Sequence, residues 1–364
     1  MTVKLRLVDK GGADTRPHRL FISGHSLTDR PFPDFLARIA ESLGRSMHWN
    51  AQNLPGSTLR DRTRGIGSWA AIGNNRPNGG PALDLFIVTE QHTLLGNIVW
   101  NDTVRHLRIM HDEMIARSPA CQTFLFTSWM DLSDRADPSR WIAYERAAAP
   151  VWACVAERLN LSLTAEGRAD RVGVIPAALA LAELVEHGRA CAGPCLNALA
   201  QVEALFSDSV HLTEVGAYYV ALICYAYCNG RSPLGAWAPA AIDAANAIGL
   251  QDFAWRFVSA QWARPQAEAA DQLCRYTART FVPLYLSYQR DTRWKAGGTL
   301  KAHFKWLRHR LSWPLLLRRK SLSNPLHFDK DRDREYWLFG PTADADAPDP
   351  QVKISRATSA YSAE

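Results

Sequence analysis

The stretch RLFISGHSLTDRPF, residues 19–32, runs Leu20, Phe21 and Ile22 directly into Ser23, Gly24, His25 and Ser26. A short apolar run without polar alternation is the pattern of a strand covered on both faces. Gly24 ends the run, and Ser26 then stands at the strand's carboxyl end, either as a nucleophile or as a turn residue ahead of a helix starting near Pro33. Three further runs repeat the pattern: DLFIVTE at 84–90, QTFLFTSW at 122–129 and RVGVIPAAL at 171–179. Helical patterns lie between them. DFLARIAESLG (34–44) carries Phe35, Ile39 and Leu43 on one face and stops at Gly44, while NDTVRHLRIMHDEMIARSP (101–119) starts on an Asn or Asp cap and stops before Pro119. The alternation predicts an α/β fold with a mainly parallel sheet, helices on both sides and a ligand crevice outside the carboxyl ends of the strands.

At 364 residues and 47% hydrophobic composition the chain can bury a full core, as one large domain or two smaller ones. Its first twenty residues carry charges every few positions and no apolar segment of the signal-peptide kind, and the longest apolar run, Val215 to Cys228, is 14 residues, short of the roughly 20 that cross a bilayer. That run is expected to be a buried helix, and the chain to be cytoplasmic. Seven cysteines include the pairs Cys191/Cys195 and Cys224/Cys228, whose spacing is wider than that of zinc ribbons. Buried, reduced thiols are expected, with no metal and no cofactor.

The formal charge of +6 is unevenly spread. Between Arg293 and Lys320 there are nine basic residues and no acidic one, which leaves the rest of the chain at −3. Within that segment Leu300, Phe304, Leu307 and Leu311 recur at helical spacing, Lys301, Lys305, Arg308 and Arg310 fill other directions, and Trp294, Trp306 and Trp313 are interleaved. Two readings stand: a helix docked on the slightly acidic body with its charges in solvent, or peripheral membrane contact through residues 293–320. Nucleic acid is not an expected partner, since no reading module accompanies the basic residues. From about Gly235 the strand-like runs give way to helical patterns such as GLQDFAWRFVSAQWA (249–263), with Phe253, Phe257 and Trp262 expected near one face. The end of the chain, 341–364, is rich in Ala, Pro, Asp and Ser and reads as a disordered tail.

A serine hydroxyl must lose its proton to attack a carbonyl, so it requires a histidine base and an acceptor that holds the histidine's tautomer. FSDSVHLTEVG (206–216) supplies Asp208 and His211, three apart, just before a helical pattern. His92, His106 and His111 show no ligand pattern and read as ordinary surface or core histidines.

GHSLTD after the first strand, the Gly of LPGSTL after the next unit, and DSVHLTEVG before the last helix of the α/β region together resemble the SGNH or GDSL hydrolase superfamily, over roughly residues 17–235. The resemblance implies a three-layer, flavodoxin-like α/β/α fold with Ser26 as nucleophile, Asp208 and His211 completing a triad, and the backbone N–H groups of Ser26 and Gly56 facing the oxyanion. The superfamily's G-x-N-D block is missing after DLFIVTEQH. Gln91 fills its place as in a carbohydrate-esterase-like branch, with Asn101 of VWND the rival donor and a helix N-cap the plainer reading of Asn101. His25 also departs from the usual Asp or Asn beside the nucleophile. The implied activity is removal of a small acyl group, such as acetyl, from a carbohydrate hydroxyl. The alternatives are an O-acyltransferase on the same fold and a non-catalytic glycan- or membrane-binding relative. The expected organisation is a catalytic unit at 1–235, a helical extension at 236–340 and the tail.

Overall fold

The computed structural model describes residues 18–64, 82–188, 201–264 and 270–339. Cys191, Cys195 and the tail at 341–364 lie outside them. Five strands form one parallel sheet: β1 (His18–Gly24), β2 (Met47–Asn53), β3 (Leu85–Thr89), β4 (Gln122–Phe126) and β5 (Val172–Ile175), in the order β2-β1-β3-β4-β5. Helices α1 (Phe32–Ser42), α2 (Leu59–Thr63), α3 (Leu94–Trp100), α4 (Thr103–Arg117), α5 (Ser139–Ala165), α6 (Ala177–His187), α7 (Val202–Leu205) and α8 (Glu214–Asn229) flank it in a broad three-layer α/β/α arrangement. All five residues of β3 are buried, as a run without polar alternation requires.

Strand β2 has no counterpart among the apolar runs of the sequence. Among the described strands it pairs only with β1, at the sheet edge; Met47, Trp49 and Ala51 on one face are buried or half-buried, while His48 and Asn50 on the other are exposed and only Gln52 there is buried. An edge strand half in water needs no apolar run. The helical pattern at 101–119 also starts differently from expectation. Asn101 closes α3, its N–H donating to the Asn97 carbonyl, and Asp102, at φ 48°, makes no side-chain cap. The Asp102 carboxylate instead accepts from Arg105 at 2.7 Å and from the Tyr336 hydroxyl at 2.6 Å.

The run at 215–228 forms the buried centre of α8, with Cys224 and Cys228 as buried free thiols whose pKa is raised by burial. Gly216 is required there, because a Cβ would stand 2.3 Å from the Leu205 carbonyl oxygen. Helix α9 (Ala244–Ala263) packs on α8, with Phe253 against Tyr219, and buries Leu250, Ala254 and Phe257. Trp262 does not share that face. Nine residues beyond Phe253 it lies half a turn away, 42% exposed, against Tyr227 and Trp255.

The remaining helices are α10 (Ala270–Tyr276), a π-helical turn (Thr277–Phe281), α11 (Val282–Thr292), α12 (Thr299–Leu317) and α13 (Asp333–Phe339). They belong to the same hydrophobic core as the α/β layer: Phe281, Tyr285 and Tyr288 stack on Tyr144 of α5. Helix α13 is held by a buried ion pair, Arg158 to Asp333 at 2.6 Å. Among the described residues no helix is long and apolar enough to cross a membrane.

Candidate active site

In this strand order the chain leaves β1 toward β2 on one side and returns to β3 on the other, so the crevice beyond the carboxyl ends of β1 and β3 is the topological switch point. Ser26 follows β1, and Gln91 follows β3 by two residues. The loop of Asp208 and His211 reaches the same crevice from between α7 and α8. The Ser26 hydroxyl lies 3.2 Å from His211 Nε2, and His211 Nδ1 lies 2.7 Å from Asp208 Oδ2. Ser26 and His211, 185 positions apart in the chain, thus join Asp208 in one hydrogen-bonded line.

The Ser26 loop is fixed from beneath. His25, beside Ser26, steadies the loop. Its Nδ1 accepts the Leu27 N–H at 3.4 Å, capping the single turn Ser26–Thr28, while Nε2–H donates to the Glu90 carbonyl at 3.1 Å. Burial, then the charge of Arg62, lowers the His25 pKa to about 3, so its ring is neutral. Thr28 donates to Asn53 Oδ1 at 2.8 Å, and Asn53 Nδ2 returns a bond to the Thr28 carbonyl at 2.8 Å. Gly24 makes this closeness possible, since a Cβ there would meet Thr28 Oγ1 at 1.9 Å. Arg62 ties the same floor together, donating to Ser23 Oγ at 3.1 Å and to Ser57 Oγ at 2.8 Å.

The segment after β3 is organised by Glu90. Its buried carboxylate accepts from the Leu59 N–H at 3.0 Å, the Gln91 N–H at 2.8 Å and the Thr103 hydroxyl at 2.8 Å. Burial raises its pKa, against the opposing pull of Arg62 and of these donors. The Gln91 side-chain oxygen accepts from the Thr93 N–H at 2.9 Å and from Asn97 Nδ2 at 3.1 Å, and Asn101 Nδ2 in turn donates to Asn97 Oδ1 at 2.9 Å. The Asn101 amide is therefore committed to orienting Asn97, whereas the Gln91 amide nitrogen has no hydrogen-bond acceptor among the described residues. Gly56 sits exposed in the turn after β2, at φ +69°, a backbone conformation that suits glycine. The N–H groups of Gly56 and Ser26 likewise lack acceptors among the described residues.

The loop bearing Asp208 and His211 is held by different means. Asp208 Oδ1 accepts the N–H of Val210 at 2.7 Å and of His211 at 2.6 Å. Burial of Asp208 acts to raise its pKa, but the bonds from the His211 N–H and ring and from the Val210 N–H outweigh it and keep the carboxyl below its ordinary range. The loop after β4 clamps the backbone: Trp129 Nε1 donates to the Val210 carbonyl at 2.7 Å, Leu132 N–H to the Ser209 carbonyl at 2.7 Å, and Arg135 to the carbonyls of Asp208 and Phe206 at 2.9 and 2.8 Å. That clamp is itself pinned by Met130 N–H on Glu145 at 2.6 Å and by the Tyr288 hydroxyl on the Asp131 carbonyl at 2.6 Å. Both side chains remain open to water, Asp208 at 53% and His211 at 47% exposure.

The supporting roles of His25, Asn53, Arg62, Glu90, Trp129 and Arg135 do not follow from sequence reasoning. A carboxylate closing an apolar run, as in LFIVTE, is the one local signal for Glu90. His92, His106 and His111 find partners in Asp131, Thr63, and Thr123 with Asp170. Glu183, Glu186 and His187 come close enough together to hold an ion, but Arg146 pairs with all three. A cavity of about 440 Å³ lies between α4, the end of α5 and α13, and none of its lining residues belongs to the Ser26 crevice.

No family model and no curated protein matches this chain. It is similar to a solved structure, that of a DUF4886 family protein from Bacteroides uniformis, with 12% sequence identity and a TM-score of 0.48, over 70% of this chain and 98% of that one.

Proposed function

We propose that this protein is a serine ester hydrolase of the SGNH type, removing a small acyl group, acetyl in the first instance, from a carbohydrate hydroxyl. The observation that carries the reading is the hydrogen-bonded line from the Ser26 hydroxyl through both ring nitrogens of His211 to the Asp208 carboxylate. In this reaction Ser26 Oγ attacks the ester carbonyl carbon as its proton passes to His211 Nε2, and Asp208 stabilises the imidazolium. The negative oxygen is met by the N–H groups of Ser26 and Gly56 and by the Gln91 amide, each donor contributing roughly 3 kcal/mol at the transition state. Collapse expels the alcohol with the proton held by His211. Water then attacks the acyl-enzyme, His211 takes its proton, and free acid leaves as Ser26 is restored.

The half-exposed imidazole leaves room for an acceptor larger than water, and this favours transfer of the acyl group to a sugar hydroxyl as the second reading. A non-catalytic glycan-binding relative would share the fold without the chemistry. An active-site fluorophosphonate followed by intact mass separates these cases: the wild-type chain gains one adduct and Ser26→Ala gains none. A folded wild-type chain that stays unlabelled overturns the enzymatic reading. Product analysis with an O-acetylated oligosaccharide and a sugar acceptor divides hydrolysis from transfer, since free acetate alone dismisses the latter.

A further inference from the structure

Helix α12 has two apolar faces, and only one of them is covered by the described residues. On the first, Ala302, Trp313 and Leu317 are buried, with Trp306 and His309 half-buried beside them; Trp313 packs on Trp100 and Tyr285. On the opposite face Leu300, Phe304, Leu307, Leu311 and Leu315 are exposed at 81, 75, 50, 63 and 62%. Steps of four, three, four and four residues keep these five within one narrow strip. A lone exposed leucine is ordinary on a protein surface, but five aligned on one helix mark an interaction surface.

The charges around the strip specify what it meets. At 100° per residue, His303 and Arg310 run along one border and Lys301 and Arg308 along the other, and Arg318, Arg319 and Lys320 extend the positive field past the helix end, all of them open to water. No acidic residue occurs from 293 to 320. The complementary surface is therefore apolar in depth and anionic at its rim. We propose that this protein docks on membranes containing anionic lipid, with α12 lying in the plane of the interface. The leucines and Phe304 enter the headgroup–acyl boundary while the bordering Lys and Arg side chains reach back to the phosphates. The helix is already folded and fixed to the body through Trp306 and Trp313, so docking does not carry the cost of ordering it. The sequence-based reading of a docked helix with only its charges in solvent thus omits half of what the helix presents.

The test is flotation of the full chain with vesicles of phosphatidylcholine alone and of phosphatidylcholine mixed with phosphatidylglycerol. The wild type is expected to float with the anionic vesicles, to float little with the neutral ones, and to be released by salt. The double substitution Phe304→Ser with Leu311→Ser is expected to lower partitioning at least tenfold. Arg308→Gln with Arg310→Gln should lower it about fivefold per charge removed. All four positions are at the surface, so unchanged circular dichroism and Tm verify the fold independently of any enzymatic activity. Absence of flotation with anionic vesicles, or equal flotation of wild type and Phe304→Ser/Leu311→Ser, overturns the proposal. So does a wild-type dimer that the same substitution turns into a monomer without any vesicle binding, which would assign the strip to a second copy of the chain.

Discussion

The two loops that meet at the crevice are built on opposite principles. The Ser26 loop rests on the buried polar side chains of His25, Thr28, Arg62 and Glu90 and on half-buried Asn53, most of them within a few residues of a strand end. The Asp208–His211 loop is half in water and is held mainly through its backbone carbonyls, by Trp129, Leu132 and Arg135 from the loop after β4. In the proposed reaction Ser26 needs one fixed position, which buried, hydrogen-bonded groups enforce. The proposed base, His211, would pass a proton between oxygens in an open setting, and its contact with Asp208 at 2.7 Å would hold the tautomer that this requires. The second loop also depends on the C-terminal helices, because Tyr288 of α11 bonds the Asp131 carbonyl and Arg293 approaches the Asp131 carboxylate at 3.7 Å. The helices after residue 235 therefore brace the site.

The largest effect should come from crowding the buried loop. Gly24→Ala places a Cβ where Thr28 stands, so the loop must move; turnover of a nitrophenyl acetate is expected to fall about 100-fold, with a loss of about 1–3 kcal/mol in stability by urea unfolding. Activity within twofold of wild type would mean that the Ser26 loop tolerates movement and that the contrast between the loops is false. A smaller effect should come from loosening the exposed loop. Arg135→Ala removes two carbonyl contacts at the surface and is expected to lower kcat about tenfold with Tm unchanged, whereas a clear fall in Tm would show the clamp to be part of the core.

The smallest effect on turnover, although not on stability in acid, concerns the neutral ring beneath Ser26. In the folded chain His25 takes a proton only near pH 3, but in the unfolded chain it does so near 6.5, so the unfolded state binds more protons in that window and stability falls as pH is lowered through it. This one group contributes up to about 1.4 kcal/mol per pH unit. His25→Asn, which can still accept the Leu27 N–H, should lose less Tm than the wild type between about pH 6.5 and pH 4. Parallel curves for the two proteins would show that burial does not keep His25 neutral.

The alternation of apolar runs with helical patterns was legible because β1, β3, β4 and β5 are covered on both faces, and such burial leaves a local signature. Strand β2 was illegible for the converse reason: at the edge, with alternate residues in water, it carries no apolar run. Asp102 shows a second limit. Its place before a helix suggests a cap, yet its carboxylate is taken by Arg105 and by Tyr336, the latter 234 residues distant. Trp262 shows a third, since nine residues of helix carry a side chain half a turn round from Phe253.

By itself the sequence determined the residue types able to act, a hydroxyl after the first strand and a carboxylate three residues from an imidazole before an apolar helix, along with a basic segment free of acids. Those properties are local, set by side-chain chemistry and short spacing. Tertiary structure decided the rest: that Ser26 and His211 stand 3.2 Å apart, that Gln91 keeps its amide nitrogen unengaged among the described residues while Asn101 is committed to Asn97, and that α12 covers its tryptophan face and leaves its leucines outside. Which of two apolar faces of α12 is buried depends on a partner far away in the chain, Trp100 against Trp313, and which of two amides is free depends on how a loop and the helix after it fold back on each other, so residue types and spacing alone do not carry that information.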